Sequence, residues 1–229
     1  MTRATALTIA VDESCTVSGI LQVPAAARAC YVMAHGAGAG MNHSFMAAVA
    51  DGLAERNIAT LRYQFPYMER GSRRPDSPAL AHRTVRAAVI EAARQLPALP
   101  LIAGGKSFGG RMTSQAQAEA PLPKVEGLAF FGFPLHPANK PSVTRAQHLN
   151  QIRIPMLFLQ GTRDALADMT LLAQTINTLG ARATLAEVSG ADHSFHVPAR
   201  SGRTDAEVLT DMLDTFSVWI TANTPRVGT

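Results

Sequence analysis

Short apolar runs alternate along most of this chain with longer segments in which apolar residues recur at helical spacing. Two early segments, 6–11 and 17–23, instead alternate apolar and polar positions on either side of a polar turn, which is typical of an antiparallel strand pair. The pattern then predicts strands at 30–34, 58–63, 100–103, 127–133, 156–160 and 183–188, and helices at 44–56, 78–96, 109–119, 167–179 and 205–221.

The later strands indicate the type of sheet. Each is apolar along its whole length, whereas a sheet with one face in water would show polar residues at every second position. Strands of this kind in alternation with helices predict an α/β fold in which a doubly wound, mostly parallel sheet has helices on both faces. With 229 residues and no internal repeat, the chain is expected to form one domain over residues 1–229.

The amino-acid composition indicates which classes of binding partner the chain is expected to have. The formal net charge is +4, and the arginines that dominate the basic residues are scattered apart from Arg70, Arg73 and Arg74. A nucleic-acid surface would have a denser basic stripe with interleaved aromatic residues, so we expect no nucleic-acid partner. Asp12 and Glu13 interrupt the early apolar stretch, and no segment is long and apolar enough to enter a membrane. A cytoplasmic location is therefore expected.

The strongest chemical signal is the pattern GxSxG at residues 105–109. It follows a predicted strand and precedes a predicted helix, which is the context of a nucleophile elbow. In such an elbow Gly105 and Gly109 let the backbone turn sharply, and Ser107 is held outward with the backbone N–H of Phe108 beside it. The same five residues also fit an ordinary turn, so the pattern alone does not establish a catalytic serine.

Two further polar side chains follow strand ends. Asp164 comes after the strand 156–160 and His193 after the strand 183–188, so the chain order is Ser107, Asp164, His193. This is the order of a catalytic triad whose members arise from one edge of a doubly wound sheet. His193 would take the proton of Ser107 as the serine attacks a carbonyl carbon. Asp164 would fix the tautomer of the imidazole and stabilise its charged form.

Each of these two assignments has a competitor nearby. Asp168 lies in the same segment as Asp164, but its position suits the first turn of the next helix, which favours Asp164 as the acid. His196 competes with His193, which lies closer to its strand. The two histidines have the i and i+3 spacing of a metal site, with Asp192 beside them. No third ligand with suitable spacing to this pair is near in sequence, so no metal is expected.

A glycine-rich segment at 36–40 follows a predicted strand. Its small residues allow the backbone N–H of Ala37 to approach a substrate oxygen together with the N–H of Phe108, which would form an oxyanion hole. A phosphate-binding loop is the alternative. The third glycine of GxGxxG is missing in both possible registers, where Met41 or His43 stands instead, so no nucleotide cofactor is expected.

Several segments carry a family resemblance. They are 35–38 with Met41 and His43, 62–68, 104–111, 133–137 and 161–164. On these segments the chain resembles the α/β-hydrolase superfamily, and within it the small group related to dienelactone hydrolase that includes predicted bacterial hydrolases and the testis-expressed and NSL-complex-subunit proteins of animals. The resemblance implies the α/β-hydrolase fold and hydrolytic chemistry. Dienelactone hydrolases use a cysteine nucleophile, whereas this chain has Ser107, so their substrate is not carried over.

These features together predict a serine hydrolase that cleaves a carboxylic ester of a small molecule through a covalent acyl-enzyme, without a cofactor. Candidate substrate-binding residues at the sheet edge are His35, Gly36, His43, Tyr63 and His136. Of these, His35 is better placed to brace the loop before Gly36. His43 and His136 stay open between lining the mouth of the cleft and forming local hydrogen bonds.

The spacing of the last strands predicts an open cleft. Only 22 residues separate Phe133 from Met156, where relatives with lids insert a cap of helices. We therefore expect no large cap domain and a small or flexible substrate. Two alternatives stay open: hydrolysis of a thioester or peptide on the same triad, and a non-catalytic binding or scaffold module, since the resembling group includes members with incomplete triads.

Overall fold

The computed structural model describes residues 2–224. In chain order the strands are β1 Arg3–Ala10, β2 Thr16–Val23, β3 Ala29–Ala34, β4 Ile58–Tyr63, β5 Leu101–Lys106, β6 Val125–Phe131, β7 Met156–Gly161 and β8 Ala183–Val188. The helices are α1 Ser44–Glu55, α2 Pro66–Glu69, α3 Pro78–Gln95, α4 Phe108–Glu119, α5 Met169–Leu179 and α6 Asp205–Asn223. Short 3₁₀ segments lie at Thr144–Gln151, Gly180–Arg182 and Ala199–Ser201.

All eight strands form one sheet in the order β1-β2-β4-β3-β5-β6-β7-β8. β2 pairs antiparallel with both β1 and β4, and all other neighbours pair in parallel. The predicted fold class, a doubly wound and mostly parallel sheet, is confirmed. Because the parallel strands run in one direction, the loops after β3, β5, β7 and β8 meet at the same edge of the sheet.

The central strand β3 shows how the sheet separates two layers of core. All six of its residues are buried. Cys30 and Val32 face the layer that contains α3, α4 and α5, while Tyr31 and Met33 face the layer that contains α1 and α6. Because helices cover both faces of the sheet, every position of β3 is apolar, and its sequence is a continuous apolar run.

The boundaries differ from the predicted ones mainly at the ends of elements. α5 begins at Met169 rather than at residue 167, because the side chain of Asp168 accepts a hydrogen bond from the N–H of Leu171 at 2.9 Å and caps the helix. Helix α2 and the 3₁₀ segment Thr144–Gln151 lie between predicted elements, in stretches where the pattern predicts neither a strand nor a helix. Both are too short to have a clear periodic pattern of their own.

The edge of the sheet where the loops meet carries no cap domain in the described part of the chain. Between β6 and β7 the longest element is the eight-residue 3₁₀ segment Thr144–Gln151, and between β4 and α3 it is the four-residue helix α2. No helical insertion among the described residues therefore covers the cleft at this edge. Within residues 2–224, no helix combines the length and the apolar character needed to cross a membrane.

Candidate active site

Ser107 lies at a sharp turn between β5 and α4, at the sheet edge where the parallel strands end. Its backbone has φ 51° and ψ −113°, a positive φ that residues other than glycine rarely adopt. The N–H of Ser107 donates to the carbonyl of Phe131 at 3.1 Å, and the N–H of Arg111 donates to the carbonyl of Ser107 at 3.1 Å. The turn is thus held between a strand and the first turn of a helix, as in a nucleophile elbow.

Two glycines let this turn lie against the end of β3. A Cβ atom added to Gly105 would lie 2.1 Å from the carbonyl oxygen of Ala34, and one added to Gly109 would lie 2.5 Å from the same oxygen. Gly105 also has a φ of 149°. A side chain at either position would force the backbone of β3 to move, so the GxSxG spacing reflects close contact between three backbone segments.

The side chains of Ser107, His193 and Asp164 form a continuous hydrogen-bonded row. Ser107 Oγ lies 2.8 Å from His193 Nε2, and His193 Nδ1 lies 2.7 Å from Asp164 Oδ2. The three residues follow β5, β8 and β7, so each arises at the carboxyl end of a different parallel strand. An ionised carboxylate only accepts hydrogen bonds, so Nδ1 carries the proton and Nε2 is free to accept from the serine hydroxyl.

Asp164 is held in one orientation by further hydrogen bonds. Its side chain is 0% exposed. Oδ2 also accepts from Gln160 Nε2 at 2.6 Å, and Oδ1 accepts from the N–H of Leu166 at 2.8 Å. The amide oxygen of Gln160 accepts from the N–H of Phe133 at 2.9 Å, so the NH₂ group must face Asp164. This network satisfies a buried carboxylate and aims it at His193.

The two competing residues have other partners. Asp168 caps α5. His196 Nδ1 lies 2.9 Å from Asp205 Oδ2 at the surface, and this hydrogen bond raises the pKa of His196. The structure therefore places Asp164 and His193, rather than their competitors, beside the elbow serine. Within residues 2–224, no group of three or more histidine, cysteine, aspartate or glutamate side chains is arranged to hold a metal ion.

The glycine-rich loop after β3 is anchored by the segment that follows β4. The N–H of Gly38 donates to Tyr67 Oη at 3.0 Å, and the N–H of Met41 donates to Gln64 Oε1 at 2.8 Å. Arg62 Nη1 donates to the carbonyl of Met41 at 3.4 Å. These contacts show that segment 62–68, which carried part of the family resemblance and in which Tyr63 alone had been given a role, shapes the glycine-rich loop.

The two residues predicted to supply oxyanion donors adjoin the elbow serine. Ala37 lines the same cleft as Ser107, and a Cβ atom added to the neighbouring Gly36 would lie 3.9 Å from Ser107 Cβ. Phe108 is the first residue of α4, where the backbone N–H groups have no acceptor within the helix. Its ring packs against Phe65, with 5.4 Å between the ring centroids.

His35 is an internal support, which corrects its inclusion among the substrate-binding residues. It is 0% exposed. Its Nε2 accepts from the N–H of Phe65 at 3.1 Å, which leaves Nδ1 to donate to the carbonyl of Gly36 at 2.8 Å. Burial lowers the pKa of His35 to about 4, so the imidazole is neutral near pH 7. The side chain braces the loop, as the alternative interpretation expected.

Tyr63 and His136 also lie away from the cleft, which corrects the prediction for both. Tyr63 is 1% exposed and belongs to the core. His136 is 4% exposed, and its Nε2 accepts from the N–H of Asp168 at 2.7 Å, so it supports the loop that carries the acid. Of the five candidates, Gly36 and His43 line the cleft.

The cleft beside Ser107 has a volume of about 380 Å³ and opens to solvent. Its apolar walls come from Phe45, Met46 and Leu166, together with the alanines of the glycine-rich loop. The ionisable groups that line it are His43, Lys106 and His193, and none of the described lining residues carries a carboxylate. A neutral or anionic molecule is therefore accommodated more readily than a cation.

Two polar residues at the site were missed by the sequence analysis. Gln160 is a fully buried amide near the end of the otherwise apolar strand β7. A single polar residue in such an apolar run could have been recognised in the sequence as a candidate for the site. Lys106 occupies a variable position of GxSxG, so the pattern assigned it no role.

Comparison with known proteins agrees with the fold. A sequence profile of the family described as alpha/beta hydrolase domain matches residues 27–221. Dienelactone hydrolase from Anabaena variabilis is 20% identical, with a TM-score of 0.77, over 98% of this chain and 99% of that one. A lidless α/β serine hydrolase from Xanthomonas campestris is 19% identical, with a TM-score of 0.74, over 97% and 95%. Est1E from Butyrivibrio proteoclasticus, with ferulic acid bound, is 15% identical, with a TM-score of 0.71, over 94% and 99%.

Proposed function

This chain belongs to the α/β-hydrolase domain family, and from that membership we propose that it is a serine hydrolase that cleaves a carboxylic ester through a covalent acyl-enzyme. The observation that carries the proposal is the contact of 2.8 Å between Ser107 Oγ and His193 Nε2, with Asp164 Oδ2 at 2.7 Å from His193 Nδ1. A serine hydroxyl is a weak nucleophile near neutral pH unless a base lies within hydrogen-bond reach.

The proposed reaction has two half-reactions. Ser107 Oγ attacks the ester carbonyl carbon while His193 Nε2 takes the hydroxyl proton, and Asp164 stabilises the resulting imidazolium. His193 then donates that proton to the leaving oxygen, the C–O bond breaks, and the alcohol departs. A water molecule next gives one proton to His193 and attacks the acyl carbon. His193 then returns that proton to Ser107 Oγ as the bond between Oγ and the acyl carbon breaks, which releases the carboxylic acid and restores the serine hydroxyl.

We assign the oxyanion hole to the backbone N–H groups of Ala37 and Phe108. Each tetrahedral intermediate carries negative charge on the former carbonyl oxygen and needs donors in place beforehand. The N–H of Phe108 belongs to the first turn of α4, whose dipole adds positive potential there. The glycine-rich loop that carries Ala37 follows the strand end against which Gly105 and Gly109 pack, so the two donors have little freedom to move apart.

The proposed substrate is a small or flexible ester. A cleft of about 380 Å³ lies within the usual range for small-molecule sites, and its apolar walls suit an acyl chain or a ring. Gly36 and His43 would contact the substrate from the side of the glycine-rich loop. Since the same triad also attacks thioesters and peptides, the test includes one substrate of each kind.

Labelling with a fluorophosphonate probe tests the nucleophile directly. The wild-type protein should react at a single serine, identified by mass spectrometry as Ser107, because among the described residues only this hydroxyl has an imidazole partner aligned by a carboxylate. Labelling should disappear in Ser107→Ala. It should persist in Ser194→Ala, which removes another serine on the cleft wall. A wild-type protein that is folded but not labelled would contradict the proposal and favour a binding or scaffold module.

The substrate class is tested with p-nitrophenyl esters of graded acyl length. We expect kcat/KM to be highest for short acyl chains and to fall once the chain exceeds what the cleft encloses. A thioester and an anilide of the same acyl group serve as matched comparisons. Faster turnover of the thioester or the anilide than of the oxygen ester, relative to their spontaneous hydrolysis, would overturn the assignment to carboxylic esters.

A further inference from the structure

Lys106 immediately precedes the elbow serine, and its side chain reaches the loop that carries the base. Its Nζ donates a hydrogen bond to the backbone carbonyl of His193. The ammonium also lies 5.0 Å from the ring centroid of Phe195 and 5.9 Å from that of Phe45. The last residue of β5 is thus joined to the loop after β8 across the floor of the cleft.

The ammonium also lies close to the imidazole itself. A Cβ atom added to Gly132 would lie 2.9 Å from Lys106 Nζ and 3.5 Å from both Nδ1 and Cε1 of His193. The cation and the ring therefore share the space that the missing side chain of Gly132 leaves open.

The surroundings of Lys106 are unusual for a lysine. Within residues 2–224, no carboxylate forms an ion pair with it at 4.0 Å or less. Burial lowers the pKa of its ammonium to about 8, while the more distant charges of Asp164 and Asp192 oppose that change. Keeping a charged group in such a place is costly, and its partners here are a carbonyl and two aromatic faces.

We propose that Lys106 is a positioning residue for the base: its ammonium holds the His193 loop through the backbone carbonyl of His193, so that the imidazole stays aligned between Ser107 and Asp164. The inference rests on the proposed serine-hydrolase function. It assigns a role to the residue between Gly105 and Ser107, so that one strand end supplies both the nucleophile and a support for the base.

The inference is tested with Lys106→Met, which keeps the length of the side chain and removes its charge and its donors. We expect the proton of the hydrogen bond between His193 Nδ1 and Asp164 to exchange with solvent about tenfold faster in the variant, measured by ¹H NMR, because the loop that carries the imidazole is no longer held. We also expect kcat/KM at pH 7 to fall about tenfold. Lys124→Met is the matched control, since Lys124 Nζ also donates to a backbone carbonyl, that of Pro97 at 3.1 Å.

Two more variants separate the hydrogen bond from packing. Lys106→Arg keeps a charged donor, so its Nδ1–H proton should exchange close to the wild-type rate even where the larger group slows turnover. Lys106→Gln removes the charge and shortens the side chain, and it replaces the methionine variant if that variant does not fold. Its Nδ1–H proton should exchange faster than in the wild type, as in Lys106→Met.

The outcomes distinguish this inference from the proposed function. If the wild type is labelled at Ser107 but the His193 Nδ1–H proton exchanges at the same rate in the wild type, Lys106→Met and Lys106→Gln, the positioning role is wrong and the hydrolase stands. If Lys106→Met changes KM for anionic esters alone and leaves that exchange rate unchanged, Lys106 binds substrate and the inference is also wrong. If the wild type is not labelled, the proposed function fails, while the exchange of the Nδ1–H proton still reports on the effect of Lys106.

Discussion

His193 and His196 lie three residues apart in the chain, yet their imidazoles have different partners. His193 Nε2 faces Ser107 Oγ at 2.8 Å, whereas His196 Nδ1 faces Asp205 at the surface. We expect His193→Ala to lower kcat by about 10⁴-fold, because the attacking hydroxyl loses its base. His196→Ala, the matched control, should stay within about threefold of the wild type.

Steady-state kinetics on a short p-nitrophenyl ester measures both variants. A double variant Ser107→Ala/His193→Ala should be no slower than Ser107→Ala alone, since residues that act as a unit are not additive. Equal losses in His193→Ala and His196→Ala would instead indicate that the loop as a whole, rather than one imidazole, supports turnover.

The buried His35 predicts how stability depends on pH. Its pKa is lowered from 6.5 to about 4, chiefly by burial, so between these values the unfolded chain binds a proton that the folded chain does not. Stability should therefore fall as the pH falls from 6.5 to 4, by about 3 kcal/mol for this residue. His148, whose pKa burial also lowers to about 4, acts in the same direction.

His35→Gln tests this expectation, because an amide accepts a hydrogen bond and does not titrate. Urea unfolding at several pH values should show a lower free energy of unfolding at pH 7 and a smaller decrease from pH 6.5 to pH 4 than in the wild type. His148 remains in both proteins, so some decrease should persist. An unchanged slope in the variant would show that His35 is not the titrating group.

At this scale the sequence predicted which polar residues stand at strand ends, but not where every side chain points. Ser107, Asp164 and His193 could be found because each follows a recognisable apolar run and because their order matches a known triad order. Tyr63 and His136 were assigned wrongly, since a residue near a sheet edge can face either the cleft or the core. That choice depends on packing, which one sequence does not display.

The contact between β3 and the start of α4 fixes the elbow at the scale of elements. An added Cβ atom at Gly109 would lie 2.5 Å from the carbonyl oxygen of Ala34 and 2.6 Å from that of His35. Gly109→Ala should therefore lower the free energy of unfolding by about 3 kcal/mol, because strand and helix must separate. Activity should fall even where the protein still folds, because the elbow and the oxyanion loop move apart.

Gly52→Ala is the control for this substitution. Gly52 also lies in a helix, but its added Cβ would meet Leu213 Cδ1, the end of a side chain that can rotate. Since alanine favours a helix by about 1 kcal/mol over glycine, the net change should be below about 1 kcal/mol. Thermal and urea unfolding of both variants provide the measurement. A Gly109→Ala protein as stable as the control would show that this interface is not tight.

Element types were more predictable than element ends. All eight predicted strands occur, and the predicted long helices occur as well. β6 begins and ends two residues earlier than predicted, at Val125–Phe131. The prediction extended to Phe133 because that residue is apolar, but Phe133 is buried without pairing in the strand. It packs on Phe158 with 5.6 Å between ring centroids, outside the strand. Apolar periodicity reports burial, and burial continues past the last ladder hydrogen bond.

For the whole molecule, alternation of strands and helices was sufficient to predict the fold class, but not the order of strands in the sheet. β3 lies between β4 and β5, and β2 pairs with β4 rather than with β3. No local pattern encodes these long-range pairings, which follow from the preferred hand of the crossovers and from which faces need cover. The family resemblance implied the type of fold, whereas the position of the site at one sheet edge followed from the strand ends at which Ser107, Asp164 and His193 stand.

The open cleft has a consequence for the fate of an acyl group on Ser107. The side chain of His193 remains 26% exposed, and no helical insertion among the described residues covers the serine. Bulk water would therefore reach the proposed acyl-enzyme as readily as any alcohol or amine would. Such a protein would release free acid almost every time and would be a poor acyltransferase. To act as an acyltransferase, it would need a segment that covers the cleft and excludes water, rather than a change in the triad.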